Sequence, residues 1–301
     1  MKSSRRQFIG GALAAAASDA MWRALAAETK LAFVATDKEF TFDTGVLRGT
    51  FRGGGQSKGL IPAFDCATGA ALTKSLGLFS HYRLLADQTR YGKAGWFWDS
   101  EAKLQSDGTV EVRWKPEETY PFDLMAIYRW SAPNTLDLTT RLTARKELRK
   151  MEVFLASYFD GFPNTLVYAG NPPSFISATK EAGKWQMFPR DDDAVKMIQD
   201  GRWKHPPNPV EWGIRPKLAL PLAIRRDEER KLAAVVMARR QDCFAVACPQ
   251  DEEGHRSIYL SLFGRDLKTG ESVEAKSRLI IGRGITDAQA LKLYQSFEKQ
   301  K

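Results

Sequence analysis

Apolar and polar residues alternate along most of this chain with a period of two. Val110, Val112 and Trp114 fall on one face of such a run. Phe122, Leu124, Ala126, Tyr128 and Trp130 fall on another, followed by Leu136, Leu138 and Leu142, and later by Ile258, Leu260 and Leu262. Successive side chains of a strand point to opposite faces, so strict alternation predicts antiparallel sheet with one face buried and one in water. Ser131-Ala132-Pro133-Asn134 separates two of these runs and predicts a hairpin turn. Strand-like runs recur from Leu31 to Gly282 with no βαβ alternation and no fixed repeat.

The period changes to that of a helix at the C-terminus. Thr286 and Gln289 have the spacing of a capping box, and Ala290, Leu293, Tyr294 and Phe297 then recur at helical spacing. This predicts a C-terminal helix laid on the sheets by its apolar stripe. A second short helix is expected over Ala194–Gln199, after the acidic run Asp191-Asp192-Asp193. The glycine-rich stretch 53–59 lacks the order of a phosphate-binding loop and reads as a hairpin loop.

The N-terminus is organised differently. Residues 1–7 are cationic, 8–17 form a short, weakly apolar run, and Ala24-Leu25-Ala26 presents small residues suited to cleavage. The apolar run is about half the roughly 20 residues that a membrane span requires. Ser4-Arg5-Arg6-Gln7-Phe8-Ile9 resembles the twin-arginine export signal. That resemblance implies a bacterial protein that passes through the twin-arginine machinery already folded and works in the periplasm, with no stable membrane anchor after cleavage. The expected division is a leader over residues 1–26 and a single domain over residues 27–301.

Loss of the leader leaves 41 basic and 35 acidic residues, so the net charge of +9 falls to +6. The charges are interspersed with no concentrated basic stripe, which speaks against nucleic acid as a partner. Cys243 and Cys248 lie on one predicted strand, too far apart to bond to each other and on opposite faces if alternation holds. Cys66 either pairs with one of them or all three remain reduced. The spacing of His81, His205 and His255 suggests no zinc site, and no sequence signature of a metal or cofactor occurs.

One aromatic-rich order stands out. Phe79-Ser80-His81-Tyr82-Arg83 is followed by Arg90-Tyr91-Gly92, Trp96-Phe97-Trp98, Val110–Trp114 and Leu136–Thr140. Over residues 31 to 285 this order resembles the large two-sheet antiparallel β-sandwich of galactose mutarotase-like proteins. The resemblance implies a mainly β fold that binds a carbohydrate on a concave face. Members of that fold include epimerases, lyases, hydrolases and non-catalytic domains, so the reaction stays open.

The candidate chemistry follows from the residues. Imidazole moves protons near neutral pH, guanidinium groups fork onto carboxylates or hydroxyls, and indoles offer flat faces to a sugar's C–H surface. His81 and Asp160 are the expected acid–base pair. Arg83, Arg90, Tyr91, Trp96, Trp98 and Trp212 are the expected substrate-binding residues. Taken singly, His81 also suits a hydrogen-bonded core position and Asp160 a turn. Trp114 and Trp130 extend alternating faces and are expected in the core. The proline-rich segment from Trp203 to Trp212 either walls a groove or caps a sheet edge. Three functions stay in view: a periplasmic carbohydrate-active protein working by epimerisation, elimination or hydrolysis, a non-catalytic glycan-binding or scaffold module, and a redox enzyme suggested by the export route alone.

Overall fold

A computed structural model describes residues 31–37 and 39–300, so the expected leader lies outside the described residues. Two large sheets dominate. The larger has ten strands, with Asp99–Leu104, Val110–Trp114, Phe122–Ala132, Thr135–Ala144, Ser272–Arg283, Leu232–Ala238 and Leu218–Asp227 adjacent in that order. The smaller has seven, in the order Gly213–Ile214, Trp185–Pro189, Cys243–Pro249, Ser257–Leu267, Leu148–Tyr158, Ser80–Ala86 and Thr89–Arg90. Pairing is antiparallel, except that Gly213–Ile214 runs parallel to Trp185–Pro189. A four-stranded sheet formed by Val34–Ala35, Phe40–Asp43, Leu47–Arg52 and Gly59–Asp65 adds an N-terminal layer.

The alternating runs form strands with their apolar residues on a shared buried face. Phe122–Ala132 and Thr135–Ala144 make the hairpin, with Leu124 opposite Leu142 and Tyr128 opposite Leu138. Their inward residues meet Val153, Leu155 and Leu260 of the smaller sheet in one continuous core that also takes in Trp114 and Trp130. Polar bonds cross this core where side chains bring them: the Tyr128 hydroxyl donates to the Phe79 carbonyl at 2.8 Å.

Both sheets are also covered on their outer faces. On the larger sheet lies the C-terminal helix Asp287–Lys299, started by the expected capping box, with Ala290, Tyr294 and Phe297 on Leu222, Val235 and Ile280. On the smaller sheet lie the short helix Asp192–Ile198, capped by Asp191, and the loop that follows it. This second cover builds the recess described below. Among the described residues no helix is long and apolar enough to cross a membrane.

Two β-bulges alter which side chains share a face. In Ser80–Ala86 the partners of His81 and Arg83 are Leu155 and Phe154, consecutive residues, so Tyr82 is the extra residue. His81 therefore points between the sheets, while Tyr82 and Arg83 both point outward. In Cys243–Pro249 the partners of Cys243 and Ala245 are likewise consecutive. Cys243 and Cys248 consequently both face the inner core, a correction to the opposite faces expected from unbroken alternation. All three cysteines are free thiols. Burial pushes Cys243 and Cys248 up to about 12, which keeps them protonated and unreactive.

Candidate functional site

The outward face of the smaller sheet carries a recess of about 270 Å³. This is close to the lower end of the range of roughly 300–1,000 Å³ seen for small-molecule sites. Its floor is Phe154 and Tyr158 from one strand, Tyr259 from the next, and the bulge pair Tyr82 and Arg83. Trp185 closes one side, and the loop carrying Trp203, Asn208 and Trp212 closes another. His255, from the turn before Ser257–Leu267, completes the rim. The rings support each other: Phe154 stacks on Tyr259 at 4.7 Å, and Trp203 meets Trp212 edge-on at 5.2 Å.

The proline-rich loop therefore walls a groove, the first of its two expected roles. It is held from both sides. Arg90 donates to the carbonyls of Pro207 at 2.5 Å and His205 at 3.3 Å. Arg202, fully buried, donates to Asp200 at 2.9 Å, to Glu152 at 3.1 Å and to the Lys150 carbonyl at 3.0 Å. Glu152 is also fully buried, and burial pushes its carboxyl up against the opposing pull of Arg202. Beyond Trp203 and Trp212 a second, more open groove of about 610 Å³ continues past Lys204, Gln199 and Glu211.

His255 is the titratable group best placed in the recess. Its Nδ1 lies 2.8 Å from both carboxylate oxygens of Glu253, and its backbone N–H donates to the same carboxylate at 2.8 Å. Those hydrogen bonds hold the Glu253 carboxyl below its usual value although burial opposes this. With the Nδ1 proton shared with Glu253, Nε2 is the nitrogen left to accept or donate a proton. Tyr158 and Tyr259 have their hydroxyls 3.4 Å apart. Burial raises both phenols, Tyr259 to about 12, so they remain neutral hydrogen-bond donors.

The structure divides the residues singled out by sequence. Arg83 and Trp212 line the recess. Trp96 stacks flat on the back of Tyr82, with ring centres 4.6 Å apart, and Arg90 secures the loop. Trp98 is in the inner core, stacked on Tyr120 at 3.8 Å with its indole N–H on the Lys115 carbonyl, and Tyr91 packs edge-on against Phe122. Asp160 lines a different surface groove beside Asp227 and Arg230. His81 is fully buried, 3.0 Å from the Thr140 hydroxyl and edge-on to Trp114. The expected His81–Asp160 pair is thus not assembled at the recess, because the bulge at Tyr82 turns His81 inward while Asp160 lies beyond the end of its strand.

His81 has a consequence for stability instead. Burial lowers its pKa from 6.5 to about 3, so it stays neutral in the native state. Below pH 6.5 the unfolded chain takes up a proton that the native imidazole does not. This contribution to stability is therefore complete above pH 6.5 and is lost as pH falls toward 3. His81→Asn should flatten the decline in denaturant midpoint between pH 7 and pH 4, read by urea unfolding at several pH values.

No protein-family model matches the chain, and no curated protein matches it. Solved structures similar to it include a proposed aldose 1-epimerase from Escherichia coli K12, 12% identical, covering 81% of this chain and 99% of that one, with a TM-score of 0.48. A galactose mutarotase-like protein from Lactobacillus casei is 9% identical, covers 83% of this chain and 99% of its own, and has a TM-score of 0.44. An α-N-acetylgalactosaminidase from Bifidobacterium bifidum is 10% identical, with 88% of this chain matched to 38% of that enzyme at a TM-score of 0.49. These are likenesses of architecture.

Proposed function

We propose that this chain is an exported, periplasmic carbohydrate-active protein that holds a sugar in the aromatic recess and uses His255 for proton transfer. The observation that carries the reading is the recess itself, with an oriented imidazole opening onto a cavity walled by aromatic rings. Flat ring faces match the C–H faces of a pyranose. Indole N–H groups, phenol hydroxyls and an arginine supply hydrogen bonds at the ring edges. Export is supported by the leader motif Ser4–Ile9.

The set of groups also bears on the reaction. None of the residues lining the recess is Asp or Glu, so the paired carboxylates of ordinary glycoside hydrolysis have no counterpart on its walls. Epimerisation and elimination turn on moving a proton, which a histidine oriented by a carboxylate can do. The same lack of carboxylates favours non-catalytic glycan binding as the second reading.

A panel of mono- and oligosaccharides followed by proton NMR tests both. Catalysis predicts a new sugar species, and the binding reading predicts line broadening with no product. In either case Trp212→Ala should weaken binding by roughly tenfold, since one ring face of the recess is lost. Unchanged affinity in that variant would place the sugar elsewhere.

A further inference from the structure

Among the described residues three arginines are buried to 1% exposure or less: Arg83, Arg202 and Arg225. Two of them are fully supplied with acceptors by the protein. Arg202 has the carboxylates of Asp200 and Glu152. Arg225 donates Nε to the Phe162 carbonyl, Nη1 to that of Ser257 and Nη2 to that of Pro163. Arg83 is different. Its Nη2 donates to the Asn208 carbonyl at 2.6 Å, while its Nε and Nη1 have no protein acceptor. No carboxylate pairs with it among the described residues. Its guanidinium is clamped between the Tyr82 and Trp203 rings, 5.1 and 4.9 Å from their centres, on a side chain that lines the recess.

The surroundings share this bias toward donors. The indole nitrogens of Trp203 and Trp212, both on rings lining the recess, also lack a protein acceptor. Arg90, next to Arg83, donates to the backbone carbonyls of His205, Pro207 and Lys93 and pairs with no carboxylate among the described residues. Burial and the neighbouring Arg83 charge lower Arg90 to about 10. A buried cation with unused N–H groups is costly unless an anion meets it. A guanidinium held rigidly by ring stacking is preorganised to take a planar or tetrahedral oxyanion.

We infer that the recess selects an acidic sugar, one whose ring carries an oxyanion substituent that is received by Arg83 and the indole N–H groups. This rests on the reading of the recess as a sugar site and names the class of sugar it takes. The substituent is a carboxylate, a sulfate or a phosphate, which share the acceptor chemistry that Arg83 lacks. Neutral sugars would leave its unused Nε and Nη1 donors unmet.

The test is a glycan array of neutral, uronate-bearing, sulfated and phosphorylated saccharides, followed by calorimetry on the best ligand and its uncharged counterpart. That counterpart is the methyl ester of a uronate, or the desulfated or dephosphorylated form. The expected result is that the bound glycans carry an oxyanion and that the charged form binds about tenfold or more tightly than the uncharged one. Which arm of the array responds identifies the substituent. Arg83→Gln should remove the preference, so that the charged and uncharged forms bind alike, and Arg83→Lys should restore part of it. The wild-type comparison needs no variant, so it decides the matter even if Arg83→Gln does not fold. Equal affinity of wild type for the charged and uncharged forms overturns the inference and leaves the sugar site standing. Binding of no saccharide at all overturns both.

Discussion

Replacing His255 with glutamine should lower turnover of the bound sugar by about 10²- to 10⁴-fold while changing its affinity little, the range expected when a positioned proton-transfer group is lost. Glutamine keeps polarity and much of the reach of imidazole but cannot shuttle a proton. The effect should therefore fall on kcat. Glu253→Gln should cost less, because the imidazole keeps a hydrogen-bond partner and loses only the charge that fixes its orientation. His81→Asn is the matched control. That histidine is buried between the sheets against Thr140, so its loss acts on stability rather than on the recess. Steady-state kinetics of the three variants, each checked for folding, separate these roles. A His255→Gln protein with full turnover would remove the assigned proton-transfer group.

Arg202→Met should destabilise the protein by about 3–5 kcal/mol, because it leaves Glu152 buried without its cation and sets Asp200 close to it with the same charge. The damage should extend to ligand binding. Arg202 starts the turn that carries Trp203, and its bonds to Lys150 and Glu152 fasten that turn to the strand Leu148–Tyr158. Glu152→Gln is the milder variant, since Arg202 keeps Asp200 and the Lys150 carbonyl. Pairing Arg202→Met with Glu152→Met should recover much of the loss, as a buried ion pair replaced by apolar groups is often neutral in stability. Urea unfolding of the two single variants and the double variant measures the coupling.

Much of the fold was legible in the sequence because burial on one face imposes a period of two. The runs ending at Trp114 and Trp130, the hairpin at Pro133-Asn134 and the capped C-terminal helix all follow from local rules that the packing then respects. The site was legible only in part, and its losses have physical causes. Counting by twos puts His81 and Arg83 on one face and Cys243 and Cys248 on two. A single extra residue in each strand reverses both statements, and nothing in Ser-His-Tyr-Arg or Cys-Phe-Ala marks where a bulge will fall. Trp96 and Trp98 have the same spacing but lie in different cores, because a tight turn over Gly95–Phe97 replaces the strand there. Gly95 is needed at that turn, since a Cβ on it would lie 2.4 Å from the His81 carbonyl oxygen.

His255 lies far from His81 and His205 in sequence, so no spacing between histidines marks it as a site residue. The signal available was local: Glu253 two residues before it, in a turn that precedes an alternating run. Tyr158 and Tyr259 gave no such sign, since either tyrosine suits a core strand. Antiparallel pairing of Tyr158 with Ser257 and of Ala156 with Tyr259 brings them together on the outer face. Long-range register of this kind is fixed by the whole sheet and is not written in any short window.

The proposed function stands or falls on whether the outer face of the smaller sheet holds the sugar. A crystal structure of the protein with its best glycan ligand tests this most directly. The expected result is a sugar ring against Trp212 and Trp185, with a sugar atom within hydrogen-bond distance of His255 Nε2. A sugar found instead in the groove beside Asp160 and Arg230, with the recess empty, would contradict it.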